Sequence, residues 1–325
     1  MDPILALLFC TAFVAGLLIL DHRRSEVHSI AGWIPTIWML YCGSRPLGQW
    51  SESTLDIEDL SAAIIEGSAI DRNFLAILIL VGLLILVRRK IDWRQVVIDN
   101  RWLFLLFLYM LVSILWSDYF FVSLKRWIKA FGGIVMVLVV LTGPSPFKEI
   151  ESIFRRTIYI LIPFSALLVK YFPSYGVMWG RYSGHLSWAG VTNNKNTLGV
   201  LCIFSALFLI WMWARSRKQT ERPSTKYDTM DHVVVLGLSF WLLKGPGYAY
   251  SATSVVVLII GLAILFVLRR LKANAKLHAM ACLFLLVAGL AYLLMWGGVL
   301  SINPLATVTS LVGRNETLTG RDAIW

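Results

Sequence analysis

The chain has 325 residues, 58% of them hydrophobic, and its mean hydropathy is +0.71. Soluble domains hold about 45–50% apolar residues, so the composition excludes an ordinary soluble domain and points to a polytopic helical membrane protein. The formal net charge is +11. Its basic residues sit mainly in short connections between apolar runs, so membrane topology accounts for them and no nucleic-acid partner is expected.

The first apolar run, 4–20, follows only Met1, Asp2 and Pro3. Without a basic leading region or a small-residue cleavage site, it reads as a retained helix and not a signal peptide. Further runs fall near 28–42, 73–87, 102–117, 130–142, 157–172, 197–213, 232–243, 252–268 and 279–299. The expected fold is therefore all-α, a transmembrane bundle of about ten helices. Residues 1–299 form one helical domain, and 300–325 open a further loop.

Charge sets the expected orientation. With the 21–27 connection placed inside, nineteen of the thirty Lys and Arg residues lie in inner connections and eleven outside. The 43–72 connection carries six acids against Arg45 and Arg72. This asymmetry predicts an outward N-terminus and multi-pass insertion in a membrane. Cys10, Cys42, Cys202 and Cys282 lie in or beside apolar runs and read as small buried hydrophobes. The five His residues show no metal-ligand spacing, and no cofactor motif is found. Asp118 and Asp231 sit at segment ends, which argues against an ion-coupled transporter.

The outward basic residues are the candidate chemistry. Lys125, Arg126 and Lys129 head one apolar segment, and 125 and 129 are one turn apart on the same face. Arg181 lies in "WGRYSG", Lys195 in "TNNKN", and Arg314 and Arg321 in "LVGRNETLTGRDAIW". The helix entered after "TNNKN" is expected to be capped by Thr192 or Asn193, with its positive dipole end outward. Anionic lipid headgroups would explain these outward cations. So would a phosphate-bearing substrate, because Arg holds phosphate oxygens bidentately and Lys acts as a point charge. Most of the Trp residues read as interface-belt anchors, while Trp179 and Trp188 flank the Asn-rich stretch, placed to stack on sugar rings.

Four pieces in order, "LVSILWSDYFFVSLKRWIKAFGG", "RYSG" followed by "GVTNNKNTLG", "GYAYSATS" and "GRNETLTGRDAIW", resemble the O-antigen ligase and polymerase superfamily. The exopolysaccharide-production branch is the nearest in kind, and the resemblance runs from about 75 to 325. It implies a membrane glycosyltransferase that moves or polymerises glycan carried on undecaprenyl diphosphate, on the periplasmic face, with no cofactor and no metal. Its implied partners are that lipid-linked glycan, membrane lipids and other polysaccharide-assembly proteins. By motif position, Arg314 and Arg321 would hold the diphosphate or pin the loop above it. Lys195 would contact the substrate headgroup, Asn196 would organise the loop-to-helix turn, and Arg126 is a secondary cation. The family pattern continues past Trp325 with a His-containing motif and closing helices, so the chain is expected to be a shortened form without the family's base. His185 lies near the same surface in a different motif and is the remaining candidate base. A lipid-carrier transporter and a non-catalytic remnant are the rival expectations. A transporter would show related halves or broken helices, and no internal repeat is visible.

Overall fold

A computed structural model describes residues 2–24, 29–51, 68–179, 186–216, 227–247 and 251–270. These residues are overwhelmingly helical: α1 (Pro3–Arg24), α2 (Trp33–Gly43), α3 (Leu47–Ser51), α4 (Ala69–Arg88), α5 (Trp93–Asp99), α6 (Arg101–Ser113), α7 (Phe120–Leu141), α8 (Pro146–Tyr171), α9 (Pro173–Gly176), α10 (Lys195–Ser216), α11 (Tyr227–Lys244) and α12 (Ala252–Arg270). Among them α1, α4, α8 and α10 are long and apolar enough to cross a membrane. The bent pair α5–α6 makes a fifth if counted as one span. The predicted 279–299 segment and the 300–325 loop lie outside the described residues.

The strictly helical expectation is corrected at one place. β1 (Val177–Trp179) and β2 (Leu186–Trp188) pair antiparallel, with Met178 opposite Ser187. Two segment boundaries also move. The connection read as a loop at 143–156 is mostly the first turns of α8, which starts at Pro146. Pro at the first helical position has no N–H to leave unsatisfied, so it starts a helix well. The single 102–117 segment is a turn of 3-10 helix (Ile114–Trp116) following α6, and α6 is broken from α5 at Asn100.

α8 is the central element. About 67% of its span is buried within the protein, against 22–39% for α1, α4 and α10. Its buried face, Ile158, Tyr159, Leu161 and Ile162, joins residues of α1, α10, α11 and α12 in one core. A second core joins α2, α4 and α7 through Trp38, Leu75, Leu78, Ile79, Val135 and Val139. Trp38 is therefore a core residue and not an interface anchor. Gly132 makes that packing possible, since a Cβ there would meet the Trp38 ring at 2.5 Å and Ile79 at 2.7 Å. Cys10 and Cys202 are buried as expected, whereas Cys42 is exposed.

Two sets of polar contacts mark the two ends of the bundle. At the basic end, Asp21 of α1 is 1% exposed and accepts from Arg156 Nε at 2.9 Å and from Arg155 Nε. Arg156 also lies over the Trp33 ring at 4.6 Å. Arg89 donates to Val139 O and Thr142 Oγ1, and Tyr159 donates to Asp231 of α11 at 2.8 Å. Asp231, read as a segment-end acid, is thus buried inside a helix that begins earlier than its apolar run. At the opposite end, Asp71 of α4 accepts from the backbone N–H groups of Leu47 and Gly48 at 2.7 and 3.0 Å. These bonds dock α3 on the start of α4. They also move Asp71 from the predicted acidic loop into a buried helix turn.

The Asp21 cluster predicts a large effect of a single change. Asp21→Ala leaves Arg156, itself 5% exposed, with an uncompensated buried charge, at a cost of roughly 3–5 kcal/mol. Thermal unfolding of the detergent-solubilised chain, followed by loss of helical circular dichroism, is expected to move sharply downward. Asp21→Glu is expected to recover part of the loss.

Candidate functional site

The opposite end of the bundle holds the Asn-rich stretch. The chain leaves α8 through α9, makes β1, returns along β2, and turns through 189–194 into α10. Gly176 O accepts from both Ala189 N and Gly190 N at 2.9 Å, which pins the return strand beneath α9. Gly190 has φ +56°, a conformation that L side chains adopt at a cost. A Cβ there would also meet Ser165 of α8 at 2.7 Å. Ser165 Oγ accepts from Val191 N at 3.3 Å, so the turn is anchored directly to the central helix.

The helix cap is neither Thr192 nor Asn193. Asn194 Oδ1 accepts from Asn196 N and Thr197 N, both at 3.0 Å, and from the Thr197 hydroxyl at 3.1 Å. Thr192 instead organises the turn before the cap, its hydroxyl donating to Ala189 O at 2.8 Å and Asn194 O at 3.0 Å. The expectation failed because three consecutive residues of capping type precede the helix, and the start at Lys195 selects the third.

One residue holds the whole turn, and the sequence reading did not single it out. Arg45, between α2 and α3, is 9% exposed. Its Nε donates to Thr192 O at 2.8 Å, and its Nη2 donates to Gly190 O at 3.0 Å and to Tyr175 O. Its backbone N–H donates to Val191 O at 2.9 Å. The guanidinium lies over the Trp50 ring at 5.1 Å, and Trp50 stacks on Tyr175. Burial lowers the Arg45 pKa from its usual range, though an arginine keeps its charge at any physiological pH. The signal available in sequence was one of two Arg in an acid-rich connection, and only tertiary structure shows which carbonyls it reads.

Beside this turn lies a narrow cleft between α10, α11 and α12, with room for about one water molecule, lined among others by Trp188, Lys195, Gly199, Gly245 and Ser251. Asn196 Oδ1 accepts from the Ser251 hydroxyl at 3.2 Å, and Ser251 and Ser254 share a bond of 2.8 Å. Asn196 thus ties the start of α10 to that of α12, as an organising residue does. Gly199 lets the two helices approach, because a Cβ there would run into Ser254. Lys195 is half-buried at the rim, in the first turn of α10, where the helix dipole adds positive potential. Trp188 lines the cleft but packs on Trp241 at 4.5 Å between ring centroids. Trp179 stands 72% exposed on the ribbon.

Lys195 lines this cleft, and its neighbour Asn196 reaches Ser251 on the cleft wall. It does not add Arg126, which is exposed on α7, in the group packed with α2 and α4. One turn on, Lys129 Nζ lies over the Tyr41 ring at 5.3 Å. Arg181, His185, Arg314 and Arg321 lie outside the described residues. No protein-family model, curated protein or solved structure matches the chain.

Arg45→Ala would orphan two carbonyls in a largely buried turn and the Tyr175 carbonyl of α9, at roughly 1–3 kcal/mol each where water does not replace the guanidinium. Amide hydrogen exchange over 189–197 is expected to accelerate by about tenfold or more, with that over α4 unchanged. Asn194→Ala should give a smaller local acceleration, in line with the ~1 kcal/mol of a lost cap.

Proposed function

We propose that the chain is a membrane glycosyltransferase-type protein of the ligase and polymerase class, acting at the Lys195 cleft on glycan carried by undecaprenyl diphosphate. In this reading the cleft end faces the periplasm, the N-terminus lies on that side, and the chain sits in a bacterial inner membrane. The observation that carries the proposal is the placement of Lys195. It stands at the rim of a cleft, in the first turn of a helix held by Arg45, where side-chain charge and helix dipole add.

The chemistry suits such a placement. A sugar diphosphate already contains a good leaving group, so fixed cations that favour the departing diphosphate supply much of the catalysis. A base for the attacking hydroxyl supplies the rest. Lys195 takes the role of point charge to the diphosphate. Asn196 keeps the helix start in register with α12 through Ser251. On the strength of their sequence motif, Arg314 and Arg321 are assigned to the same diphosphate, and Arg181 to its approach. His185 is the candidate base. An acceptor hydroxyl attacks the anomeric carbon, the carbon–oxygen bond to the diphosphate breaks, and the hydroxyl proton passes to the base.

The test uses purified chain in proteoliposomes supplied with undecaprenyl-diphosphate-linked repeat units. Binding is read by equilibrium retention and turnover by gel ladder. Lys195→Ala is expected to weaken binding or kcat/KM about tenfold to hundredfold, the scale of one charge-assisted hydrogen bond. Lys195→Arg should retain part of it. If binding is indifferent to Lys195→Ala and to Arg314→Ala with Arg321→Ala, the substrate assignment falls.

A further inference from the structure

The α5–α6 elbow carries chemistry that the proposed reaction does not use. α6 and its 3-10 extension run on from α5 across a bend of 87°. The break is at Asn100, whose Nδ2 donates to Val96 O at 3.0 Å and so closes the last turn of α5. Neither α5 nor α6 has a buried residue. α6 is apolar around its circumference, with Leu103, Leu105, Leu106 and Leu108 all exposed. Such a helix needs hydrocarbon around it. With α6 taken as the membrane-crossing limb, α5, set at 87° to it, lies along the membrane surface.

α5 has the pattern for that position. Trp93, Val96 and Val97 share one face by their i, i+3, i+4 spacing. On the other side, Gln95 Nε2 donates to Asp99 at 2.8 Å. Around this short helix Arg88, Lys90, Arg94 and Arg101 are all exposed. The two local carboxylates are partly committed, Asp92 to the N-cap bond with Gln95 N and Asp99 to the Gln95 side chain. Arg89 is turned inward to α7, so it belongs to the fold and not to this surface. Arg101 lies over the exposed Trp102 ring at 5.6 Å, an arrangement suited to headgroup depth.

We propose that α5 is an interfacial helix that binds anionic lipid headgroups at the basic end of the bundle, its cations on the phosphates and Trp93 at the acyl boundary. A single two-turn face is small for a protein partner, which needs about 800 Å² per side. A bilayer surface takes a short apolar face flanked by cations, and each Lys or Arg near an anionic surface favours it about fivefold.

The test places the full chain in nanodiscs of phosphatidylcholine alone or mixed with phosphatidylglycerol. Trp93 is isolated as the difference in emission between wild type and Trp93→Phe. Quenching by lipid brominated near the headgroup is expected to rise in the anionic discs. It should fall severalfold at high salt and in the Lys90→Gln, Arg94→Gln, Arg101→Gln variant. Salt acts on the unaltered chain, so a folding defect in the variant does not decide the result. Equal quenching in both lipids and at all salt concentrations would overturn the proposal. So would a Trp93 reached by aqueous acrylamide in anionic discs, or one shielded from both quenchers through contact with a second copy of the chain.

Discussion

The structure depends on one long helix that is polar at one end and buried nearly throughout. α8 carries Glu149, Ser152 and Arg156, all buried, in its first three turns. A charged guanidinium inside protein is tolerated only where a counter-charge and further hydrogen bonds meet it. Asp21, at the end of α1, supplies that counter-charge to Arg155 and Arg156 together. The face of Trp33 covers one side of Arg156. Because Asp21 and Trp33 belong to different elements, satisfying α8 also fixes α1 and the start of α2 against it. Farther along, α8 is apolar and packs on α1, α10 and α11, so the same helix sets the ends by charge and the middle by volume.

The cleft end solves the same problem with the opposite chemistry. Here backbone, not side chain, is the buried polar group. The turn at 189–194 has no regular secondary structure, and its carbonyls need donors at a depth where water is scarce. Arg45 provides several donors from one rigid group, and Trp50 and Tyr175 cover its face. A lysine would offer a point charge without the planar fork, so the position demands arginine. The turn, once held, delivers Asn194 to cap α10 and Lys195 to the cleft rim.

The class of fold was legible because length and hydropathy alone identify long apolar helices. Among the described residues Asp21, Arg89 and Glu149 gather at one end, and Arg45, Asp71 and Asn194 at the other. What escaped was everything decided by tertiary partners. The stretch "PFKEIESIFRR" reads as a hydrophilic loop because its charges are counted as solvated, whereas Asp21 allows Arg155 and Arg156 to sit inside the bundle on a helix. Asn100 reads as one polar residue ahead of an apolar run, and its helix break appears only in three dimensions. Arg45 has no motif around it, and its three carbonyl acceptors lie about 130–147 residues farther along the chain. Lys195 and Asn196 could be placed from sequence because both lie at one helix start, while Arg126 lies on α7.

The two ends therefore manage charge differently, and the difference bears on how each meets its surroundings. At the basic end the cations divide. Arg89, Arg155 and Arg156 are spent inside the bundle on Thr142 and Asp21. Arg88, Lys90, Arg94 and Arg101 stay exposed around the α5–α6 elbow. At the cleft end the most deeply buried cation, Arg45, is spent on carbonyls, which have dipoles and no net charge. Among the described residues its hydrogen-bond acceptors are all carbonyls, so its positive charge adds to the potential of the α10 N-terminus beside it. That residual field is what an anionic group entering beside Lys195 would meet, and it comes from the fold's need to hold a polar turn.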